Sequence, residues 1–141
     1  MDISVRRTSA SIVEDRSWLG DLDGTQATRS ITLVPALFTM ATHFPKGVLR
    51  SGIVLGRVTA NGATKGMYGP YDNTATDGRE VAKGFLFNTI QMVEDGGLLT
   101  ANKGAPMLER GFIRPWLLPA GNGLDAAARV DLAAHFKFRD E

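Results

Sequence analysis

The sequence predicts a mainly β (α+β) domain with one helix near the C-terminus and an extended arm at the N-terminus. The chain has 16 glycines and 6 prolines in 141 residues, a composition that favours short strands and turns. Apolar runs of strand length recur between these breakers. Only residues 124–135 combine alanine-rich composition with helical spacing of apolar residues. This length is typical of a single domain.

The N-terminal segment predicts an arm. Residues 1–30 are rich in Ser, Thr and Asp, and Trp18-Leu19 is their only bulky apolar pair. Such a segment buries too little apolar surface to offset the entropy lost on ordering. We therefore expect Trp18 to lack a packing partner and to anchor an interface, with a frayed terminus as the alternative. Pro35 interrupts the next apolar run, which indicates an edge strand or a continued arm, so residues 1–43 are assigned to the arm and residues 44–141 to a β-rich domain.

The central residues predict a hairpin. Residues 52–60 form an apolar strand with both faces partly covered. Asn61-Gly62 closes this strand with a dipeptide typical of tight hairpins. Residues 67–71 are expected to form a short, edge-like strand, and residues 72–78 a loop whose side chains bond their own backbone.

The next strand is expected over residues 80–89, with Val81, Phe85 and Phe87 in the core. Gly84 within it indicates a β-bulge or a close approach of another backbone.

The C-terminal third predicts a strand, a helix and a strand. Residues 106–116 form a strand interrupted by Gly111. The helix is expected to have Asn122 as its N-cap and Asp125 in its first turn. Residues 136–139 alternate apolar and basic side chains, which predicts a short final strand.

The charge and the motifs of the sequence argue against nucleic-acid binding, metal binding and catalysis. The net charge is +1 and the chain has no cysteine, so neither nucleic-acid binding nor cysteine-based zinc or redox chemistry is expected. No apolar run approaches membrane-spanning length, and no nucleophile motif occurs. His43 and His135 lack ligand spacing, and Asp21-x-Asp23 is typical of a turn rather than a calcium loop. We therefore expect no enzyme activity, cofactor or metal.

Several segments together resemble a known family. In order they are Phe44-Pro45-Lys46-Gly47, residues 51–59 (SGIVLGRVT), residues 68–72 (YGPYD), residues 76–78 (TDG) and residues 81–84 (VAKG). This set resembles the lambda-type bacteriophage head decoration proteins. The likeness extends over residues 44–141, including the alanine-rich helix.

The resemblance implies a small, barrel-like domain of the β-tulip type that forms a homotrimer. Such trimers bind the major capsid protein at local three-fold positions of the expanded head, on the outer surface of the virion, and stabilise it against the pressure of the packaged DNA. The arm would bind the shell by strand pairing. The implied capsid-binding residues are Trp18, Leu19, Ile31, Thr32, Leu33 and Val34.

Two alternatives remain open from the residues. The first is another phage structural module, such as a head-completion or tail protein. The second is a small enzyme or carbohydrate-binding module, in which Trp18, Trp116, Tyr68 and Tyr71 would be aromatic platforms for sugars. For Trp116, burial in the core or in a trimer contact is the stronger expectation.

Overall fold

A computed structural model describes residues 14–94 and 97–140. The described chain forms short strands, two α-helices and two 3-10 turns. The strands are β1 Arg29–Leu33, β2 Val48–Leu49, β3 Val54–Arg57, β4 Tyr68–Pro70, β5 Ala82–Leu86, β6 Ile90–Gln91, β7 Val93–Glu94, β8 Gly97–Leu98, β9 Lys103–Leu108, β10 Gly111–Ile113 and β11 Phe136–Phe138. The helices are α1 Met40–His43 and α2 Ala126–Leu132, and the 3-10 turns are Pro35–Leu37 and Pro115–Leu117.

Five strands form a closed barrel in the order β1-β4-β3-β5-β9. β1 runs antiparallel to β9 along its whole length, from Arg29 opposite Met107 to Leu33 opposite Lys103. Leu33 also pairs with Tyr68 of β4, in parallel. The mainly β class and the short C-terminal helix are therefore confirmed.

Three two-stranded sheets surround the barrel: β10-β11, β2-β6 and β7-β8. β10 and β11 run parallel, and α2 lies in the connection between them, because a parallel pair needs a crossover. The free side of β10 is covered by the N-terminal segment, through an antiparallel bridge from Leu19 to Ile113.

Apolar side chains form two cores, one on each face of β3 and β5. Leu55 and Leu86 belong to the first core, whereas Val54 and Phe85 belong to the second. Successive residues of a strand point to opposite faces, so both faces of these strands are buried. This explains why residues 53–55 and 85–87 are continuously apolar instead of alternating with polar residues.

The predicted hairpin is confirmed, with two differences. The connection between β3 and β4 spans residues 58–67 and is longer than a two-residue turn. β4 lies between β1 and β3, so it is not an edge strand.

Val81 was expected in the core, but it precedes β5 and is 40% exposed.

Gly84 has both features that its position predicted. A Cβ atom there would lie 2.3 Å from the main-chain oxygen of Leu108, so only glycine fits. The pairing of β3 with β5 also shifts register between Leu55 and Gly56.

The run predicted as one strand over residues 106–116 is two strands, β9 and β10.

The predicted helix forms, but its N-cap was misassigned. The carboxylate of Asp125 accepts a hydrogen bond from the main-chain N–H of Ala128 at 2.7 Å, so Asp125 is the cap. Asn122 instead accepts from the N–H of Leu124 at 2.8 Å and donates to the carbonyl of Pro119. The final strand, β11, is confirmed within one residue of its expected end.

Candidate interaction surface

Trp18, the expected anchor of a free arm, is fully buried, with an exposed fraction of 0%. Its ring lies 5.5 Å from that of Phe85, and its Nε1–H donates to Oγ of Ser51 at 3.2 Å. The expectation that Trp18 lacks a packing partner is therefore wrong. The indole finds an apolar contact and a hydrogen-bond acceptor from residues far along the chain, as buried tryptophans require.

The other residues of the predicted capsid-binding segment also belong to the domain. Ile31, Leu33 and Val34 are buried, Thr32 is half-buried, and Leu19 packs on the second core. The main chain of β1 is paired with β9 on one side and meets β4 on the other. Strand pairing to another protein through β1 would first have to break these bonds. The rest of the predicted arm, residues 1–13, lies outside the described residues.

The polar loop over residues 72–78 is held by its own hydrogen bonds. The carboxylate of Asp72 accepts from the N–H and hydroxyl of Thr74 at 2.9 and 2.7 Å, and these bonds lower the pKa of Asp72. Arg79 pairs with Asp77 at 3.0 Å and reaches the carbonyl of Pro70. These carboxylates are engaged in shaping the loop, as the composition of the loop suggested.

The two histidines lie in unrelated places. Nδ1 of His43 accepts from the N–H of Thr39 at 2.8 Å, and the imidazole meets Phe38 edge-on. Burial lowers the pKa of His43. His135 is exposed beyond the end of α2. Within residues 14–94 and 97–140, no group of three or more His, Cys, Asp or Glu side chains could hold a metal ion.

The turn Pro115–Leu117 presents a large apolar side chain to solvent. Trp116 is 53% exposed and Leu117 is also exposed. The turn is fixed by the N–H groups of Leu117 and Leu118, which donate to the carbonyls of Arg114 and Pro115. An exposed tryptophan on a rigid turn is typical of the residues that dominate protein interfaces. Sequence reasoning placed Trp116 in a core or a trimer contact, and the first of these is wrong.

A groove of about 630 Å³ lies beside this turn. We call the groove and its neighbours the Trp116 surface; it comprises Pro115, Trp116, Leu117, Leu124, Ala126, Arg129 and Val130. Val130 extends the apolar area because it lies four residues after Ala126, on the same side of α2, and it is well exposed. An ion pair between Arg129 and Asp140, at 3.2 Å, borders the surface. The groove is lined by apolar side chains together with the polar groups of Asn122, Asp125, Arg129 and Asp140, and protein interfaces commonly combine the two.

Asp125 is exposed, lines the groove and fixes the start of α2 beside it. Besides capping α2, it accepts a hydrogen bond from the hydroxyl of Tyr71 at 3.0 Å. Burial, followed by this bond to Asp125, raises the pKa of Tyr71 to about 12. The pair thus joins the start of α2 to the loop after β4.

A second groove, of about 500 Å³, is lined by Leu19, Leu22 and Phe87. Leu22 is 81% exposed, and the guanidinium of Arg16 covers the ring of Phe87 at 4.0 Å from its centroid. This groove is smaller and is lined mostly by the N-terminal segment.

The aromatic residues considered as sugar platforms do not form one surface. Trp18, Tyr68 and Tyr71 are buried, and Trp116 is the one of the four that is exposed. Stacking on a sugar needs an accessible ring face, so the geometry does not support the carbohydrate alternative.

Comparison with known proteins returned no relatives: no protein-family model, curated protein or solved structure matches the chain. No helix in the described part of the chain is long and apolar enough to cross a lipid bilayer.

Proposed function

We propose that this chain is a decoration protein of an expanded icosahedral phage head, bound as trimers at local three-fold positions and stabilising the shell against internal DNA pressure. Its partners are the major capsid protein and other copies of itself. The proposal rests on the family resemblance, and the following contacts support it.

The observation that carries the proposal is that the segments that carry the resemblance pack against one another. A Cβ atom at Gly56 would lie 2.7 Å from the main-chain oxygen of Arg79, and one at Gly78 would lie 2.3 Å from Oγ1 of Thr59. Each glycine of one segment therefore accommodates a residue in or next to the other. These close contacts support the interpretation that the segments carrying the resemblance form one structural unit.

The Trp116 surface supplies a contact for self-association. A three-fold ring uses two different patches on each copy, and a protruding tryptophan next to a groove suits one of them. Many trimers on one shell then add their modest individual interfaces, so that the stabilisation grows with occupancy.

Cryo-electron microscopy of expanded heads, stripped of accessory protein and mixed with the purified chain, tests the proposal. We expect density above every local three-fold position. Density at a unique vertex or in the tail would instead favour the alternative of a head-completion or tail protein. Bare three-fold positions at saturating protein would overturn the decoration function.

Substitutions and a deletion distinguish the contribution of the Trp116 surface from that of the predicted arm. Trp116→Ala should lower trimer formation and shell occupancy, whereas Leu22→Ala, a matched exposed apolar residue outside the Trp116 surface, should leave both unchanged. Deleting residues 1–13 tests the remaining part of the predicted arm. A deletion that continues to residue 34 would remove Trp18 and β1 from the core, so it could not distinguish lost binding from lost folding.

A further inference from the structure

The chain contains two Asn-Gly pairs, Asn61-Gly62 and Asn122-Gly123, in different surroundings. In such a pair the glycine main-chain nitrogen can attack the side-chain amide carbon of asparagine, because glycine has no Cβ to obstruct the approach. A ring N–C bond forms, the bond to the side-chain nitrogen breaks, and ammonia leaves with the proton of the main-chain nitrogen. Water then opens the succinimide to aspartate or isoaspartate, and no oxidant or metal is needed.

Asn61 lies in the exposed connection between β3 and β4. The space around Gly62 is open, since no heavy atom other than those of Gly62 and its two chain neighbours lies within 4 Å of the place a Cβ would occupy. Within the described part of the chain, the main-chain nitrogen of Gly62 donates no hydrogen bond. The nitrogen of Gly62 is therefore accessible, and the side chain of Asn61 is exposed.

Lys65 adds a favourable charge at this position. Its Nζ donates to Oδ1 of Asn61 at 3.1 Å. Negative charge develops on this oxygen when the amide carbon is attacked, and a neighbouring cation stabilises such a charge.

Asn122 has the opposite environment. Its Nδ2 donates to the carbonyl of Pro119 and its Oδ1 accepts from the N–H of Leu124, both at 2.8 Å. The side chain must break both bonds to reach the nitrogen of Gly123. At the usual strength of such bonds, this slows the reaction by roughly tenfold or more.

We infer that Asn61 is a site of spontaneous deamidation in the folded protein, and that the fold protects Asn122. The inference is independent of the proposed function. Each event adds one negative charge to a chain of net charge +1. The isoaspartate product also lengthens the main chain of the β3–β4 connection by one carbon.

Peptide mapping by mass spectrometry of the full chain, aged at mildly alkaline pH, tests the inference. We expect aspartate and isoaspartate to accumulate at residue 61 at least about tenfold faster than at residue 122. The same incubation in denaturant is the control: there the two sites should react at similar rates, because the fold no longer holds Asn122.

Equal rates at the two sites in the folded protein, or faster reaction at residue 122, would overturn the inference. A second variant tests the role of the lysine. Lys65→Ala should slow deamidation at residue 61 in the folded protein and have a smaller effect in denaturant. An unchanged rate in the folded protein would show that Lys65 does not promote the reaction.

Discussion

Trp18 and Trp116 differ in a way that reverses what their sequence surroundings suggest. Trp18 follows a polar segment and is fully buried, whereas Trp116 lies in the apolar run IRPWLLP and is 53% exposed. The difference depends on which other segments of the chain pack against each ring. Trp18 lies in the second core with Phe85 of β5 and donates a hydrogen bond to Ser51. Near Trp116, it is Leu118 that packs against this core. Local polarity therefore does not decide which tryptophan is structural and which is available for binding.

The largest effect should come from removing the buried ring. Trp18→Ala leaves a cavity beside Phe85, and truncations of this kind cost about 3–5 kcal/mol of the free energy of unfolding. Urea unfolding followed by circular dichroism measures this. If the variant is as stable as the parent, then Trp18 is not part of the core and does not differ from Trp116 as described.

Ser51→Ala tests the polar part of the Trp18 site. The change leaves the buried indole N–H without its acceptor, which costs about 1–3 kcal/mol. The matched control is the same change in a Trp18→Phe background, where no N–H remains to be satisfied and the cost should shrink. Equal costs in the two backgrounds would mean that the bond from Trp18 to Ser51 contributes nothing.

Asp125→Ala tests the residue that lines the groove beside Trp116 and fixes the start of α2. It removes the cap of α2, at a cost of about 0.5–2 kcal/mol, and the acceptor of the Tyr71 hydroxyl. The pKa of Tyr71, measured by ultraviolet titration, should fall from its raised value of about 12. Asp125→Asn retains a capping oxygen and should recover most of the lost stability, and failure to do so would contradict the capping role.

The pH dependence tests whether the end of the predicted arm is folded. Because burial lowers the pKa of His43 in the folded state, the folded chain binds this proton less readily than the unfolded chain does. The associated stability is complete above the unfolded pKa of about 6.5 and is lost as pH falls towards the lower folded value. Unfolding curves across this range should show the loss, and His43→Gln should reduce it. An unchanged pH profile in His43→Gln would exclude this histidine as the source.

Trp116→Ala should have the smallest effect on stability. An exposed side chain that fills no core position changes the free energy of unfolding by no more than about 0.5 kcal/mol. Its effect should appear in self-association, measured by sedimentation of the free chain and by occupancy of expanded heads. A loss of stability comparable to that of Trp18→Ala would show that the two tryptophans do not differ as described.

Much of the fold was predictable because it depends on neighbours in the chain. The strands β3, β5 and β11 follow from apolar runs bounded by turn residues, and α2 follows from its alanines. The loop over residues 72–78 follows from side chains that bond backbone two residues away. The role of Gly84 was predictable because a glycine inside a strand often marks a β-bulge or a close approach of another backbone.

The candidate site was less predictable, since most of the wrong predictions concern partners distant in sequence. β1 was expected to be an edge or an arm, yet β9 supplies its partner from at least 70 residues away. Asn122 and Asp125 are both good caps, and the choice was made by contacts to Pro119 and Tyr71.

The sequence by itself determined the mainly β class, most of the elements and the absence of a nucleophile motif, because these depend on composition and local spacing. The tertiary structure alone decided that Trp18 and β1 pack in the two cores and that Trp116, not Trp18, faces solvent. Burial of a large ring requires a cavity built by other segments, and a sequence pattern carries no record of which segments meet there. For the same reason, only the fold distinguishes Asn61 from Asn122.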